Sequence, residues 1–442
     1  MLLLYCVDRR NGVKHSVLCW MEACWWLINA LRKFLYLCWP SELALDDSDP
    51  EPRWVLTDGV PMFFLLILVE ALFARKGAYR LHELLTCVSL GSLQYVGQAT
   101  LNTAFELACQ AVGLSLEVSA YRWVWENARV FEIDAKSQPV FCYVCLLLGK
   151  DLGYYLAHRS MHEFHLLWVG HSVHHSGEDY HLGTGLRQGI SQPFFGWPFY
   201  VPLALIGFPP HAFIAHAQLN TLYQFWVHTD LIERLPFPLE YVLNSPMAHR
   251  MHHRPPGNCN YAGMLIIWDR LFGTYCAETI RKDLYGLAPQ PLTFDPLAIN
   301  ISHARRILSS GSARQLVFGR RVPGRWRASV RAIFTPVPPL RADERAKGPG
   351  RRKWDGEPGA PPPGVLLNVW LVIALLASVA FSLRLMVAGR AMHPVRAVVA
   401  GIAASAAFAC IGRVCDRRQP QAQAALAWSV PALASLAACV LL

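Results

Sequence analysis

Three short groups of histidines constrain the fold of this chain, because a long apolar stretch separates the third group from the first two. The groups read HRSMH at 158–162, HSVHH at 171–175 and HRMHH at 249–253. The stretch at 190–227 is interrupted by prolines, including the pair Pro209-Pro210. Each arm of about 17–18 residues could cross most of a hydrocarbon core about 30 Å thick. We therefore predict a hairpin that enters and leaves the membrane on one side, since that topology brings the three groups together.

The composition indicates an integral membrane protein. Hydrophobic residues make up 53% of the 442-residue chain and charged residues only 16%, whereas soluble domains contain roughly 25% charged residues. The net charge of +10 comes from Lys and Arg in loops beside apolar runs, especially residues 305–353, and indicates a cytosolic face. No recognisable nucleic-acid module is present, so we predict no nucleic-acid partner. The 13 cysteines are scattered, many inside apolar segments, and predict no disulfide framework.

We predict an all-α, multi-pass integral membrane protein with a histidine-rich two-metal site at its cytosolic face. Residues 61–74 and 138–157 are strongly apolar spans, and the softer stretch 84–117 fits a helical hairpin or a partly buried pair. Lys150 and Asp151 interrupt the second span and should face protein or a cavity. Four regions are predicted: an N-terminal interfacial region at 1–60, a membrane-embedded catalytic domain at 61–290, a basic, Pro-rich cytosolic linker at 291–364 and a C-terminal appendage at 365–442 with three apolar helices (365–388, 391–413 and 423–442).

The spacing inside the histidine groups predicts a site for two metal ions. Of the 17 histidines, 13 lie between residues 158 and 253, and those of each group stand at helical spacing, on one helix face. Imidazole is neutral near pH 7 and binds transition metals such as iron and zinc. Eight grouped histidines exceed the three or four ligands of a single zinc site, and His228, at the returning end of the hairpin, is a predicted ninth ligand. The predicted metal ligands are His158, His162, His171, His174, His175, His228, His249, His252 and His253.

Three acids near the groups are candidate catalytic residues. Glu163 follows a predicted ligand, and Glu178 and Asp179 follow the second group. Metal-bound imidazoles commonly donate their other N–H to such carboxylates, although a solvated loop charge or a helix cap is the alternative for each acid. The spacing leaves the roles of His165 and His181 open. The remaining histidines are predicted to be structural: His15, His82, His211, His216, His303 and His393.

The order H-x3-H, H-x2-HH, H-x2-HH among apolar helices resembles the fatty acid hydroxylase superfamily, whose members are integral-membrane di-iron enzymes. This bare pattern identifies the superfamily only, whereas the residues around it are more specific. They resemble the alkylglycerol monooxygenase family and cover much of residues 150–280. The matching stretches are DLGYYLAHRSMHE (151–163), LWVGHSVHHSGEDYHLGTGLRQG (167–189), LNTLYQFWVHTDLI (219–232) and NYAGMLIIWDRLFGTY (260–275).

The resemblance implies oxygenation at the ether-bearing carbon of a 1-O-alkylglycerol or lyso-ether lipid. The product is a hemiacetal, which collapses to a fatty aldehyde and a glycerol derivative. The resemblance also implies two iron ions per chain, dioxygen as co-substrate, tetrahydrobiopterin as reductant, and a location in the endoplasmic reticulum membrane. The sequence contains no recognisable dinucleotide, flavin or haem module, so we expect an external reductant. No pterin-binding residue can be named from it.

Two other functions stay open at this point. A sterol or sphingolipid hydroxylase or desaturase of the same superfamily would use an external electron carrier. A membrane metal transporter also concentrates histidines, but along a pathway and often beside intramembrane acids. Two departures from the resembled family bear on substrate fit: the stretch HHRPPGNCNYAG (252–263) is several residues shorter, and Gly183 and Gly185 are less bulky than expected.

Overall fold

Helices form the regular secondary structure of this computed structural model, which describes residues 14–75, 78–111, 120–255, 258–278, 285–287, 290–309, 365–388 and 393–416. The longer helices are α1 (Lys14–Phe34), α2 (Val60–Phe73), α3 (Leu81–Ala111), α4 (Ala120–Ala128), α5 (Pro139–Glu163), α6 (His165–His171), α7 (Val201–Ile206), α8 (Pro210–Trp226), α9 (Pro246–His253), α10 (Pro296–Ser309), α11 (Val365–Ala388) and α12 (Pro394–Asp416). Shorter helical turns are Pro40–Leu43, Val55–Gly59, His174–Ser176, Leu182–Leu186, Pro193–Gly196, Trp197–Phe199, Leu239–Val242 and Ile267–Leu271. Across these residues there is no β-strand, and one isolated bridge joins Leu243 to Leu265.

Four helical segments in the described ranges are long and apolar enough to cross a membrane. They coincide with four predicted apolar segments, which confirms the all-helical, multi-pass membrane fold. The third predicted tail segment, 423–442, and most of the linker 291–364 lie outside the described residues. The division into four regions stays a prediction. The four segments are Val55–Phe73, Pro139–Glu163, Asn368–Leu385 and Pro394–Asp416.

The prediction of a hairpin or helix pair at 84–117 is wrong. α3 runs without a break from Leu81 to Ala111. Gly91, within it, serves close packing and does not turn the chain. A Cβ at Gly91 would lie 2.6 Å from the carbonyl oxygen of Leu186, so the segment after the second histidine group packs directly against the α3 backbone.

The chain returns to the second histidine group after the stretch 190–227, because His228 Nε2 lies 3.2 Å from His174 Nε2. That the two arms enter and leave the membrane stays a prediction, since neither is among the four candidate spans of the described residues. Gly207, between α7 and α8, has a φ of 123°, which favours glycine. A Cβ there would also lie 2.0 Å from the Phe131 carbonyl oxygen. The returning arm is the single helix α8, but the entering arm is a series of short helical pieces. Prolines explain the difference, because proline fits the first turn of a helix and interrupts a longer one.

Ionisable side chains inside the second span face protein, as predicted for Lys150 and Asp151. Both side chains are buried. Asp151 accepts hydrogen bonds from the backbone N–H groups of Met264 and Leu265 at 2.8 and 2.9 Å. Its other partners include the side-chain amide of Asn220, at 2.8 Å. This carboxylate therefore fixes the chain after the third histidine group to α5, because a buried charge is tolerated only when it is hydrogen-bonded.

The two described helices of the tail pack against α3 and α10. One hydrophobic core cluster contains Leu85 of α3, Phe294 before α10, Leu371 of α11 and Phe408 of α12. A polar contact joins the same elements, since the Asp416 carboxylate accepts the backbone N–H of Phe294 at 2.6 Å. The tail helices therefore pack against α3, the helix whose Gly91 also contacts the segment after the second histidine group.

Gly412→Ala should destabilise the protein by about 1–3 kcal/mol, the usual cost of overpacking. A Cβ at Gly412 would lie 2.3 Å from the Phe294 carbonyl oxygen, so α12 would have to move. Gly196→Ala is the control, because its Cβ would meet only the Tyr200 ring, at 3.6 Å. Thermal unfolding in detergent measures the difference, and equal midpoints for the two variants would contradict the described packing of the tail.

Candidate metal centre

Four helical elements and a residue just after α8 position the grouped histidines. α5 carries His158 and His162 one turn apart near its end. The second group is not one continuous helix, unlike the expectation from its spacing: α6 ends at His171, and a separate 3-10 turn spans His174–Ser176. The third group lies on α9, and His228 follows the end of α8.

The nine predicted ligands come together in two compact groups, each able to hold a metal ion. All nine side chains are buried, and the ring nitrogens within each group lie within 4.8 Å of one another. The groups adjoin, because the rings of His175 and His253 stack with centroids 4.5 Å apart. The five-histidine group is His158, His162, His171, His175 and His252, and the four-histidine group is His174, His228, His249 and His253.

Backbone carbonyl oxygens fix the orientation of four rings. A carbonyl oxygen can only accept a hydrogen bond, so the Nδ1 atom that faces it carries the proton. Each of these rings therefore presents an unprotonated Nε2, as metal-ligating histidines do. The Nδ1 contacts are His158 to Tyr261 O at 2.7 Å, His252 to Cys259 O at 2.8 Å, His174 to Arg187 O at 3.0 Å and His228 to Gln224 O at 2.7 Å.

Unprotonated nitrogens face each other within the four-histidine group, which is unfavourable unless a cation lies between them. His174 Nε2 and His228 Nε2 are 3.2 Å apart, although the proton of each ring is held on Nδ1. Burial lowers the pKa of His174 to about 4, so protonation does not relieve this contact near neutral pH. The donor set of neutral imidazoles fits a borderline transition metal such as iron in each group.

The three candidate acids lie near the groups, where arginines bind them. Glu163 is exposed and accepts a hydrogen bond from Arg159 at 2.8 Å. Glu178 and Asp179 both accept from Arg80, at 3.1 and 3.0 Å. Burial raises the pKa of Asp179 to about 6 in spite of this ion pair. The four rings described above take their orientation from carbonyl oxygens, so the roles of the acids stay predictions.

The two histidines left open by the spacing lie outside both groups. His165 Nδ1 lies 3.1 Å from His303 Nε2, in a separate buried pair. His181 is buried against Tyr79, with ring centroids 4.2 Å apart. Neither side chain adds a donor to the five-histidine or four-histidine group.

The sequence did not reveal the hydrogen-bond acceptors that orient the histidine rings. Most are main-chain oxygens, at positions such as Cys259 and Tyr261, and every residue type carries such an oxygen. Gln192 is different, because its side-chain oxygen lies 3.2 Å from His171 Nδ1. This glutamine lies at the start of the stretch 190–227, and its polar side chain beside an apolar run was the one signal in the sequence.

Comparison with known proteins shows what the region around this site is similar to. Residues 143–274, which contain all nine grouped histidines, match the family model for fatty acid hydroxylase. The chain is also similar to alkylglycerol monooxygenases: it is 40% identical to that of Xenopus tropicalis over 280 residues, which is 62% of this chain and 59% of the relative. The Homo sapiens protein is 39% identical over 282 residues, with the shares again 62% and 59%. The resemblance inferred from the sequence is confirmed.

The similarity has a limited extent. The chain spans only 59% of the length of these two alkylglycerol monooxygenases. An ornithine lipid hydroxylase, OlsE of Rhizobium tropici, is 29% identical over 195 residues, which is 43% of this chain and 55% of that protein. No solved structure matches the chain.

His253→Ala should remove one metal ion from the protein, whereas His303→Ala should remove none. His253 belongs to the four-histidine group, while His303 is similarly buried but pairs with His165. Elemental analysis after anaerobic loading with Fe²⁺ gives the metal content per chain. The same content in the wild type and both variants would contradict the assignment of His253.

His181 should make the stability of the protein depend on pH. Burial lowers the pKa of His181 to about 4; Glu83 opposes this shift, and Arg187 and Arg80 add to it. An unfolded histidine titrates near 6.5. Between these values the unfolded chain binds more protons, so the free energy of unfolding falls as the pH falls from 6.5 toward 4.

His181→Phe should therefore flatten this dependence. From pH 7 to pH 5 the wild type should lose about 2 kcal/mol more stability than the variant, because one pKa unit corresponds to about 1.4 kcal/mol. Chemical unfolding of both proteins in detergent measures the free energy of unfolding at each pH. The control is the range from pH 8 to pH 7, in which the difference between the two free energies should stay constant. Parallel curves down to pH 5 would show that His181 does not titrate in this way.

Proposed function

We propose that this protein is a membrane-bound di-iron monooxygenase that hydroxylates the ether-bearing carbon of alkylglycerols, with tetrahydrobiopterin as reductant. The observation that carries the proposal is the pair of buried histidine groups within a region that matches fatty acid hydroxylases. Similarity to alkylglycerol monooxygenases over 62% of the chain supports the substrate class.

The nine histidines would hold two iron ions, one in each group. Bound iron would supply the activation of dioxygen for hydroxylation of an unactivated C–H bond, chemistry that amino-acid side chains lack. The chain orients the donors, because the carbonyl acceptors hold the proton of rings such as His158 and His174 on Nδ1. It also excludes bulk water, since all nine rings are buried.

The products follow from the position of the new hydroxyl group. One atom of dioxygen enters the C–H bond next to the ether oxygen, and the other leaves as water with two electrons and two protons from the reductant. The hydroxylated ether is a hemiacetal, which releases its glycerol portion and becomes a fatty aldehyde. The protein therefore needs to hold the ether carbon beside the histidine groups, and the cleavage follows without attack by a side chain.

A location in the endoplasmic reticulum membrane, with the site facing the cytosol, completes the proposal. His158 and His162 lie at the end of a candidate span, Pro139–Glu163. An alkyl chain can thus lie in the apolar interior while its polar head group stays near the histidine-bearing end. The basic stretch 305–353 follows the third group in the sequence and supports a cytosolic orientation for that side.

A sterol hydroxylase or desaturase that uses an external electron carrier is the second candidate. The Delta(7)-sterol 5(6)-desaturase of Leptosphaeria maculans is 29% identical over 138 residues, which is 28% of this chain and 34% of that protein. This match is shorter than the match to alkylglycerol monooxygenases, so the ether-lipid reaction is favoured. A metal transporter is disfavoured, because its histidines should follow a path through the spans, whereas the nine histidines gather in two compact, buried groups.

Aldehyde release from 1-O-hexadecylglycerol tests the proposal. Iron-replete membranes that contain the wild type should release fatty aldehyde with tetrahydrobiopterin and little without it. His174→Ala should abolish the release, because it removes a donor of the four-histidine group, and His303→Ala should retain it. The matched assay supplies a sterol and a reduced electron-carrier protein in place of the ether and the pterin.

The outcomes separate the two candidates. Pterin-dependent aldehyde that disappears in His174→Ala supports the ether-cleaving reaction. A wild type that releases no aldehyde but oxidises the sterol would overturn it in favour of the second candidate.

A further inference from the structure

One peptide group links a buried carboxylate to a histidine of the five-histidine group. The carbonyl oxygen of Tyr261 accepts a hydrogen bond from His158 Nδ1 at 2.7 Å. The N–H of the same peptide group belongs to Ala262, and it donates to Asp269 Oδ2 at 2.8 Å. A continuous chain of hydrogen bonds therefore runs from the carboxylate through one peptide to the imidazole.

The carboxylate at the start of this chain is firmly held. Asp269 is completely buried, and its Oδ1 accepts from the Tyr261 backbone N–H at 2.8 Å and from the Thr274 hydroxyl at 2.7 Å. Its own carbonyl oxygen accepts the backbone N–H of Thr274 at 2.8 Å. The negative charge is thus fixed relative to the peptide that it contacts.

Such a chain transmits polarisation. Hydrogen bonds in series strengthen one another in a low-dielectric interior. A carboxylate on the N–H side makes the Tyr261 carbonyl oxygen a stronger acceptor, and a stronger acceptor on Nδ1 makes the opposite ring nitrogen of His158 a better donor to a metal. Metal-ligating histidines commonly obtain this effect from a carboxylate in direct contact, whereas here a peptide group lies between the two.

We propose that Asp269 is a positioning residue that raises the metal affinity of the five-histidine group through the 261–262 peptide and His158. The proposal rests on the proposed function to the extent that this group holds iron. Asp269 acts on the ligand's orientation and basicity, and it contacts neither the ion nor the substrate.

The effect should be confined to one ion. In the four-histidine group, His228 Nδ1 donates to the carbonyl oxygen of Gln224, in the last turn of the preceding helix α8, at 2.7 Å. His174 Nδ1 donates to the carbonyl oxygen of Arg187, at 3.0 Å, on a different segment of the chain. Neither contact passes through a peptide that Asp269 holds.

Asp151 offers a matched control. It is equally buried and holds two consecutive backbone N–H groups, those of Met264 and Leu265. The carbonyl oxygens of those two peptide groups accept hydrogen bonds from Asn244, at 3.1 Å from its side chain and 2.6 Å from its backbone. Asp151 therefore makes the same kind of contact with the same segment but leads to no histidine through these peptides.

The experiment is an anaerobic titration of the metal-free full chain with Fe²⁺. Calorimetry measures the affinity for each ion, and elemental analysis gives the number of ions bound. Asp269→Asn should bind one ion about 10–100-fold more weakly, the usual effect of losing such a support, and should bind the other ion as the wild type does. Asp151→Asn should unfold at a lower temperature but keep both affinities. If Asp269→Asn does not fold, Asp269→Glu keeps the charge but displaces the carboxylate, and it should weaken the same ion at least severalfold.

Three results would overturn the proposal. Unchanged affinity in the Asp269 variant excludes the relay, and an equal loss in Asp151→Asn shows that general packing of the segment is responsible. Equal weakening of both ions in the Asp269 variant excludes a specific path through His158. A wild type that binds no Fe²⁺ would instead remove the proposed function itself, and the inference with it.

Discussion

The approach of unprotonated imidazole nitrogens to one another is the interaction on which the rest of the structure depends. Contacts such as His174 Nε2 to His228 Nε2, at 3.2 Å, are repulsive without a cation, and burial keeps the rings neutral. Metal ligands must be deprotonated before they bind, and these rings already are. The helices, the hairpin and the buried charges bring donors from four parts of the chain to one place and hold their tautomers.

Buried ion pairs perform much of this positioning. Arg187 is completely buried and bonds to Glu83 and to Ser176, each at 2.9 Å, while its carbonyl oxygen accepts from His174. Removing one partner from such a pair is more damaging than the pair is stabilising, because a buried charge is left uncompensated. The chain thus uses charges in apolar surroundings to specify where the main-chain acceptors lie, and those acceptors specify the orientation of the imidazoles.

The structure brings together the histidines that the sequence grouped, whereas the atoms that support them could not be predicted from the sequence. Helical spacing identifies the histidines because three- and four-residue intervals place side chains on one face, and a return of the chain was required for His228 to reach His174. Spacing could not show that α6 ends at His171, since the following turn depends on packing against α3. Gly91 illustrates the same limit: the polar residues of the stretch 84–117 suggested a hairpin or a helix pair, but the helix is continuous, and Gly91 within it allows the close approach of Leu186.

The nearby acids are held by arginines, so the proposed ligand set would consist of neutral donors. Glu163 bonds to Arg159, and Glu178 bonds to Arg80, so these carboxylates are engaged beside the groups and not within them. Two divalent ions among neutral ligands would keep their full charge, and the interior must balance it from outside the coordination shell. Asp269 is suited to that purpose, because its charge lies one peptide group away from His158 and is fixed there by three hydrogen bonds. In the proposed enzyme, a carboxylate at that distance would stabilise the ion without occupying a position that dioxygen or substrate must reach.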